Sequence, residues 1–225
     1  MITRILFAAV LAMCLHGSGC AQNEVNPPPG TSNISAERLA LKAELEAMLE
    51  TDQKHRSAIG ITTDAAERTR LWAQQKIIDK LNQVRIDDII KLHGWPGRKE
   101  FGNKASQAAF LVLQHSPLEM MKRYLPLLQK ALDADEIRKE SFALFDDRIR
   151  MYEGRPQLYG SQVRVDEKTG TPNFWQIEDE INVDKRRASM GLGPLATYAK
   201  HFKIDYVPVA ERGNRSAASE VEKGK

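Results

Sequence analysis

The chain is short of cysteine, with two in 225 residues. Cys14 lies inside an N-terminal apolar run, so the mature chain keeps Cys20 or none. No intramolecular disulfide is then possible, and no free thiol is left for catalysis. Stability has to come from a packed core, which about 200 residues are enough to build. One sign of charge does not dominate. The chain has 33 basic and 30 acidic side chains, and removing residues 1–20 takes away only Arg4. The signs are interspersed, so no basic stripe argues for nucleic acid. Several sequence signatures are missing as well: no G-x-S-x-G elbow, no phosphate-binding loop and no dinucleotide fingerprint. His93 and His115 lie 22 apart without Cys/His pair spacing, which leaves zinc without a ligand set. No metal and no cofactor is expected.

The longest apolar run, Ile5 to Leu15, is too short to span a bilayer. It follows Arg4 and precedes the small residues Gly17, Ser18 and Gly19, which is the build of a secretory signal peptide. Two cleavages compete. GSGC at 17–20 resembles a bacterial lipoprotein box, with Cys20 becoming the lipidated first residue, although Gly17 stands where such boxes favour Leu. The alternative is ordinary cleavage after Ala21, with Gly19 and Ala21 as the small residues. The lipoprotein reading implies a lipid anchor in a bacterial membrane. Ala21 after the cysteine lacks the aspartate that holds lipoproteins at the inner membrane, so that reading points to the outer membrane, facing the periplasm. The other cleavage gives a soluble periplasmic or secreted chain.

Residues 21–33, with three consecutive prolines, read as an extended tether. Residues 34–210 read as one α-rich domain, and 211–225 as a disordered tail. Apolar residues at helical spacing predict helices over about 36–55, from 64 onward, 86–92, 104–115, 117–132 with Ser116 as cap and a kink at Pro126, and 136–153. Two short helices follow, one carrying Arg186 and Arg187 and one over about 195–202. Residues 162–166 and 173–178 read as strands around EKTGTP. The expected fold is mainly α (α+β): about five to seven helices and one small β-hairpin near 162–178.

Polar side chains recur where these helices should be apolar. Asp52 continues the stripe Leu41, Leu45, Met48, Leu49, and Arg56 lies four residues beyond it. Asp79 and Asn82 border the buried side of the second helix. Gln107, Gln114 and His115 fall on the third, and Asp147 and Arg148 on the helix whose core line is Phe142, Phe145, Ile149 and Tyr152. Buried polar groups are costly unless partnered, so these positions suggest one shared polar centre.

His115 is the acid/base candidate, because its side chain titrates near neutral pH, with Asp52, Asp79 or Asp147 to orient it. The alternative is a structural histidine at a helix end. Arg56, Arg148 and Arg187 have forks that fit an anion, or pair with Asp52, Asp147 or Asp184 inside the fold. Trp95 stacks on a ligand or plugs the core. Gln114 lies on the same helix line as Gln107 and Leu111. Tyr159 and Gln162 enter the hairpin around Gly160, where a tight turn or a close backbone approach is expected.

Five strings read together are familiar: DQKHR at 52–56, HGWPG at 93–97, QAAFLVLQH at 107–115, DRIRMYEGRPQLYGSQ at 147–162 and VDKRRASMGL at 183–192. They resemble the bacterial family catalogued as domain of unknown function 6624, over roughly residues 40–200. Ser161 stands where the family has Thr, which keeps the hydroxyl. The resemblance implies a bacterial, mostly helical domain and brings no activity. It marks Asp52, Arg56, Trp95, Gln114, His115, Asp147, Arg148, Gln157, Tyr159, Gln162 and Arg187 as members of the family pattern. Three functions follow as expectations. One is a lipoprotein binding a small polar or anionic ligand, or an envelope partner. The second is a cell-envelope hydrolase or lyase with His115 as general acid/base beside Asp52 or Asp147. The third is a structural envelope protein with a closed polar network.

Overall fold

The structure is a computed structural model that describes residues 35–212, except Glu167. The expected signal segment, Cys20, the expected tether and most of the expected tail lie outside the described residues. The chain divides between Pro117 and Leu118 into two compact units.

The first unit is three helices. Ser35 accepts a hydrogen bond from the Arg38 N–H at 3.3 Å and starts α1, Ala36–Ile61. Its buried line is Leu41, Leu45, Met48 and Asp52. The helix passes the expected stop at His55 by more than a turn, because no proline intervenes and Gly60 is tolerated near a helix end. Asp64 caps α2, Ala65–His93, through the N–H groups of Ala66 (2.8 Å) and Glu67 (3.3 Å). The separate helix expected at 86–92 is the last part of α2. Ile86, Ile89 and Ile90 continue the buried line of Leu71 and Gln75, and no glycine or proline breaks the run. Gly94, at φ +76°, ends it. The third helix, α3, Arg98–Gln114, begins a turn and a half before the expected Lys104. Gly102 (φ +81°) interrupts it, a conformation glycine adopts at little cost. Both α1 and α2 pack on α3, and on each other.

The second unit starts with α4, Leu118–Asp133, which carries Pro126 inside it. Ser116, just before it, donates its hydroxyl to the Val112 carbonyl at 2.7 Å. Next comes α5, Lys139–Tyr152. Its core line is Phe142, Phe145 and Ile149, with Met151 buried where Tyr152 was expected; Tyr152 is exposed. The strands are shorter than expected, β1 Val163–Val165 and β2 Pro172–Phe174, paired antiparallel with Val163 opposite Phe174. A 3-10 turn, Glu180–Asn182, leads into α6, Val183–Ser189, and α7, Leu195–Lys200. Val183, Leu195 and Tyr198 form a small core there, covered by Phe174, Ile177, Phe202 and Tyr206. The protein is thus mainly helical with one small hairpin, the class the sequence predicts.

Candidate functional site

In the first unit, two helices and the end of a third bring polar side chains to a common place. Asp52 and Arg56 are one turn apart on α1. Gln75, Asp79 and Asn82 follow i, i+4, i+7 on α2 and so share a face. His115 caps α3, held by its own N–H on the Leu111 and Leu113 carbonyls and by Gln83 Nε2, which donates to its carbonyl at 3.3 Å.

Asp52, 2% exposed, is the hub. Its Oδ1 lies 3.5 Å from His115 Nδ1. Its Oδ2 accepts from Gln53 Nε2 at 2.6 Å and lies 3.4 Å from Arg56 Nε. The other end of the Arg56 fork donates from Nη2 to Asp79 Oδ1 at 2.5 Å, and Gln75 Nε2 donates to the same oxygen at 2.7 Å. Burial pushes the Asp52 carboxyl up, but the hydrogen bonds and charges of His115 and Arg56 outweigh it. The group is held below the usual carboxylate range and stays ionised. Two side-chain atoms of the α2 strip, Gln75 Oε1 and Asn82 Nδ2, are buried without a hydrogen-bond partner among the described residues. The same holds for Trp95 Nε1, in the loop between α2 and α3. Gln114 is buried in the last turn of α3.

The second unit gathers Asp147, Arg148, Gln157, Tyr159, Gln162 and Arg187 around the loop 157–162. Asp147, on α5, accepts the N–H groups of Leu158 (2.7 Å), Tyr159 (3.1 Å) and Ser161 (2.9 Å). Burial nonetheless dominates and raises its carboxyl above the ordinary value. Gln157 closes the loop on itself: Oε1 accepts from the Gln162 N–H at 2.8 Å, and Nε2 donates to the carbonyls of Gln162 (3.0 Å) and Trp175 (2.8 Å). Arg148 Nε donates to Gln162 Oε1 at 3.1 Å. The loop's carbonyls are taken as well. Arg186 Nε donates to Leu158 (2.8 Å), Arg187 Nη1 to Tyr159 (2.6 Å) and the Tyr198 hydroxyl to Ser161 (3.0 Å). Arg187 also donates from Nε to Gly193 at 2.6 Å and lies 5.0 Å over the Tyr198 ring. Gly160 is at φ +67°, and a Cβ there would stand 2.8 Å from Leu195 Cδ1, so the close approach expected at this glycine is real. The Tyr159 ring is half-buried.

Each candidate thus falls into one of two sets, one per unit. Two residues of these sets are not among the sequence candidates: Gln75, whose signal is its place four residues beyond Leu71 and four before Asp79, and Tyr198, which a lone aromatic on a short helix does not announce. The locally expected Asp52–Arg56 pair is present, with Asp79 added from α2. Asp184 accepts the Leu195 N–H at 2.7 Å. Among the described residues, no group of three or more His, Cys, Asp or Glu side chains is placed to hold a metal ion.

A family model described as a family of unknown function, DUF6624, matches residues 39–207. That is well over half the chain, and the protein belongs to this family. No curated protein and no solved structure matches it.

Proposed function

We propose that this member of DUF6624 binds a small polar ligand through the Asp52–Arg56–Asp79–His115 cluster, and that a lipid on Cys20 holds it at the bacterial envelope. The observation that carries the ligand reading is the pair of unsatisfied groups beside Asp79. Gln75 Oε1 is an acceptor and Asn82 Nδ2 a donor, both buried without a partner among the described residues. Buried groups of this kind cost about 1–3 kcal/mol each when left unpaired, and a ligand carrying both a donor and an acceptor relieves that cost. Charge narrows the class. Two carboxylates face one guanidinium, which is already shared between them, so nothing is left over to clamp an anion. A neutral or cationic polar molecule, such as a glycan fragment or an amide, fits better.

The test is a thermal-shift screen of envelope metabolites and glycan fragments on the full chain, repeated on His115→Ala and Gln75→Leu. A ligand that raises Tm in the wild type and loses most of that shift in both variants supports the reading. A hit that neither substitution weakens sinks it.

A second reading rests on the 3.5 Å approach of His115 Nδ1 to Asp52 Oδ1. An aspartate on Nδ1 orients the ring and leaves Nε2 as the atom that exchanges a proton, the arrangement a hydrolase or lyase needs. Turnover of a bound ligand that survives His115→Gln would remove it. The closed bonding of the loop 157–162 favours a structural role for Asp147, Arg148, Gln157 and Gln162, while Arg187 keeps one buried atom, Nη2, without a hydrogen-bond partner among the described residues. The envelope address is supported by GSGC at 17–20 and the proline-rich stretch after it. Among the described residues, no helix is long and apolar enough to cross a membrane.

A further inference from the structure

The outward side of α2 carries four large aliphatic side chains that the ligand cluster does not use. Ile77, Leu81, Val84 and Leu92 are 64%, 66%, 59% and 74% exposed. At about 100° per residue they fall within an arc of about 80° and make one stripe along the helix. Lys76, Lys80 and Lys91 border one edge, and Arg85 the other. A shallow groove of about 490 Å³ runs along Lys76, Ile77, Lys80, Leu81, Val84 and Arg85, and Asp88 also lines it.

The charges around the stripe are not equally committed. Arg85 is held by Glu44 at 2.5 Å and Lys91 by Asp87 at 2.5 Å. Lys76 and Lys80 make no ion pair or hydrogen bond among the described residues. The stripe therefore has two unneutralised ammonium groups on long, flexible stems, one turn apart.

We infer that this face of α2 docks on an anionic phospholipid surface. An apolar helix face flanked by lysines lies in the headgroup region with its aliphatic side chains against the acyl boundary and its ammonium groups on phosphates. Each such lysine contributes about 1 kcal/mol at an anionic surface. The composition separates this occupant from a protein. Protein interfaces concentrate aromatic side chains and arginine at their centres and are depleted in lysine. This stripe has aliphatic side chains and lysines, no aromatic ring, and one arginine, Arg85, that is already paired with Glu44. A second copy of the chain would bring the same unneutralised lysines to the same seam, and like charges oppose that. Asp88 lies on the stripe itself, close enough to Arg85 for its charge to act there, and its carboxylate offsets part of the lysines' positive charge. The inference goes beyond the ligand reading and stands without it.

The experiment places a diazirine side chain at position 81 of the full chain, with a control at the exposed Leu39 of α1. Vesicles are phosphatidylcholine alone, or the same with about a quarter phosphatidylglycerol. Irradiation is expected to give lipid adducts from position 81 and not from position 39, and only with phosphatidylglycerol present. Adduct yield should fall about tenfold or more in Lys76→Glu/Lys80→Glu and in high salt. Lys76→Gln/Lys80→Gln, which is gentler on folding, should fall partway. Unchanged yield in both lysine variants, equal yield in neutral vesicles, or adducts to a second copy of the chain would each overturn the inference.

Discussion

At the scale of the residue, the two buried aspartates do opposite things with the same carboxylate. Asp52 is ionised between a guanidinium and an imidazole, and its pKa is lowered. Asp147 is wrapped in backbone N–H groups, yet burial keeps its pKa raised. The linkage signs follow. The contribution of Asp52 is present above its unfolded value, near 3.8, and is lost as pH falls through the lower folded value. Asp147 runs the other way: its charge is a burden above the unfolded value, relieved as pH falls. Urea midpoints of the wild type should therefore drop at acid pH, and Asp52→Asn should flatten that drop. An equally steep drop in Asp52→Asn would show that the paired carboxylate is not what acid attacks. Replacing Asp147 by Asn puts an NH₂ where an oxygen now accepts N–H groups, so buried donors lose their partner. The cost should be about 2–4 kcal/mol in chemical unfolding, from an unsatisfied group at about 1–3 kcal/mol plus the displaced contacts. Gly160→Ala meets both a left-handed backbone and a 2.8 Å approach to Leu195, and should cost about 2–3 kcal/mol. A Tm within a degree of wild type would contradict that geometry.

At the scale of the element, α1 and α2 were legible where a single helix decides and obscure where neighbours decide. Asp52 could be read because it extends the stripe Leu41, Leu45, Met48 on its own helix. Asp64 could be read as a cap, and Asp64→Ala should cost about 1 kcal/mol in thermal unfolding; no change would mean that the end of α2 is held by other means. The unity of α2 is hard to read because Asn82 and Val84 are weaker helix formers than the Gln83 and Arg85 beside them. Packing of Ile86, Ile89 and Ile90 below it carries the helix through. Gln75 was missed for the same kind of reason: a glutamine in a helix reads as surface until a neighbouring helix covers it. The strands read longer than they are because Gln162 and Trp175 extend the ladder by a backbone bond, from the Trp175 N–H to the Gln162 carbonyl at 3.0 Å. In the fold, Gln162 turns its side chain to Arg148 and the Leu144 carbonyl, while Gln157 closes the segment from the side. Side chains distant in sequence do the work there, and no periodicity reports them.

At the scale of the whole molecule, the balance of charge matters more than its distribution suggests. With 33 basic and 30 acidic side chains, the chain as a whole has little attraction for an anionic surface. A stripe with two uncommitted lysines gives only weak, reversible docking on its own, about 1 kcal/mol per lysine before any apolar contribution. The proposed acyl anchor at Cys20 would change this, because a tethered stripe would meet the bilayer at high effective concentration. The anchor can be tested without any ligand in hand. Cells fed a clickable fatty-acid analogue should label the wild-type chain and not Cys20→Ser. The mature wild-type protein should partition into detergent phase, and the variant into the aqueous phase. If the wild type carries no label and its mature N-terminus is Gln22, cleavage follows Ala21 and the lipoprotein reading falls. The α2 stripe would then act alone, and its adduct yield on anionic vesicles would measure what two lysines and four aliphatic side chains can hold.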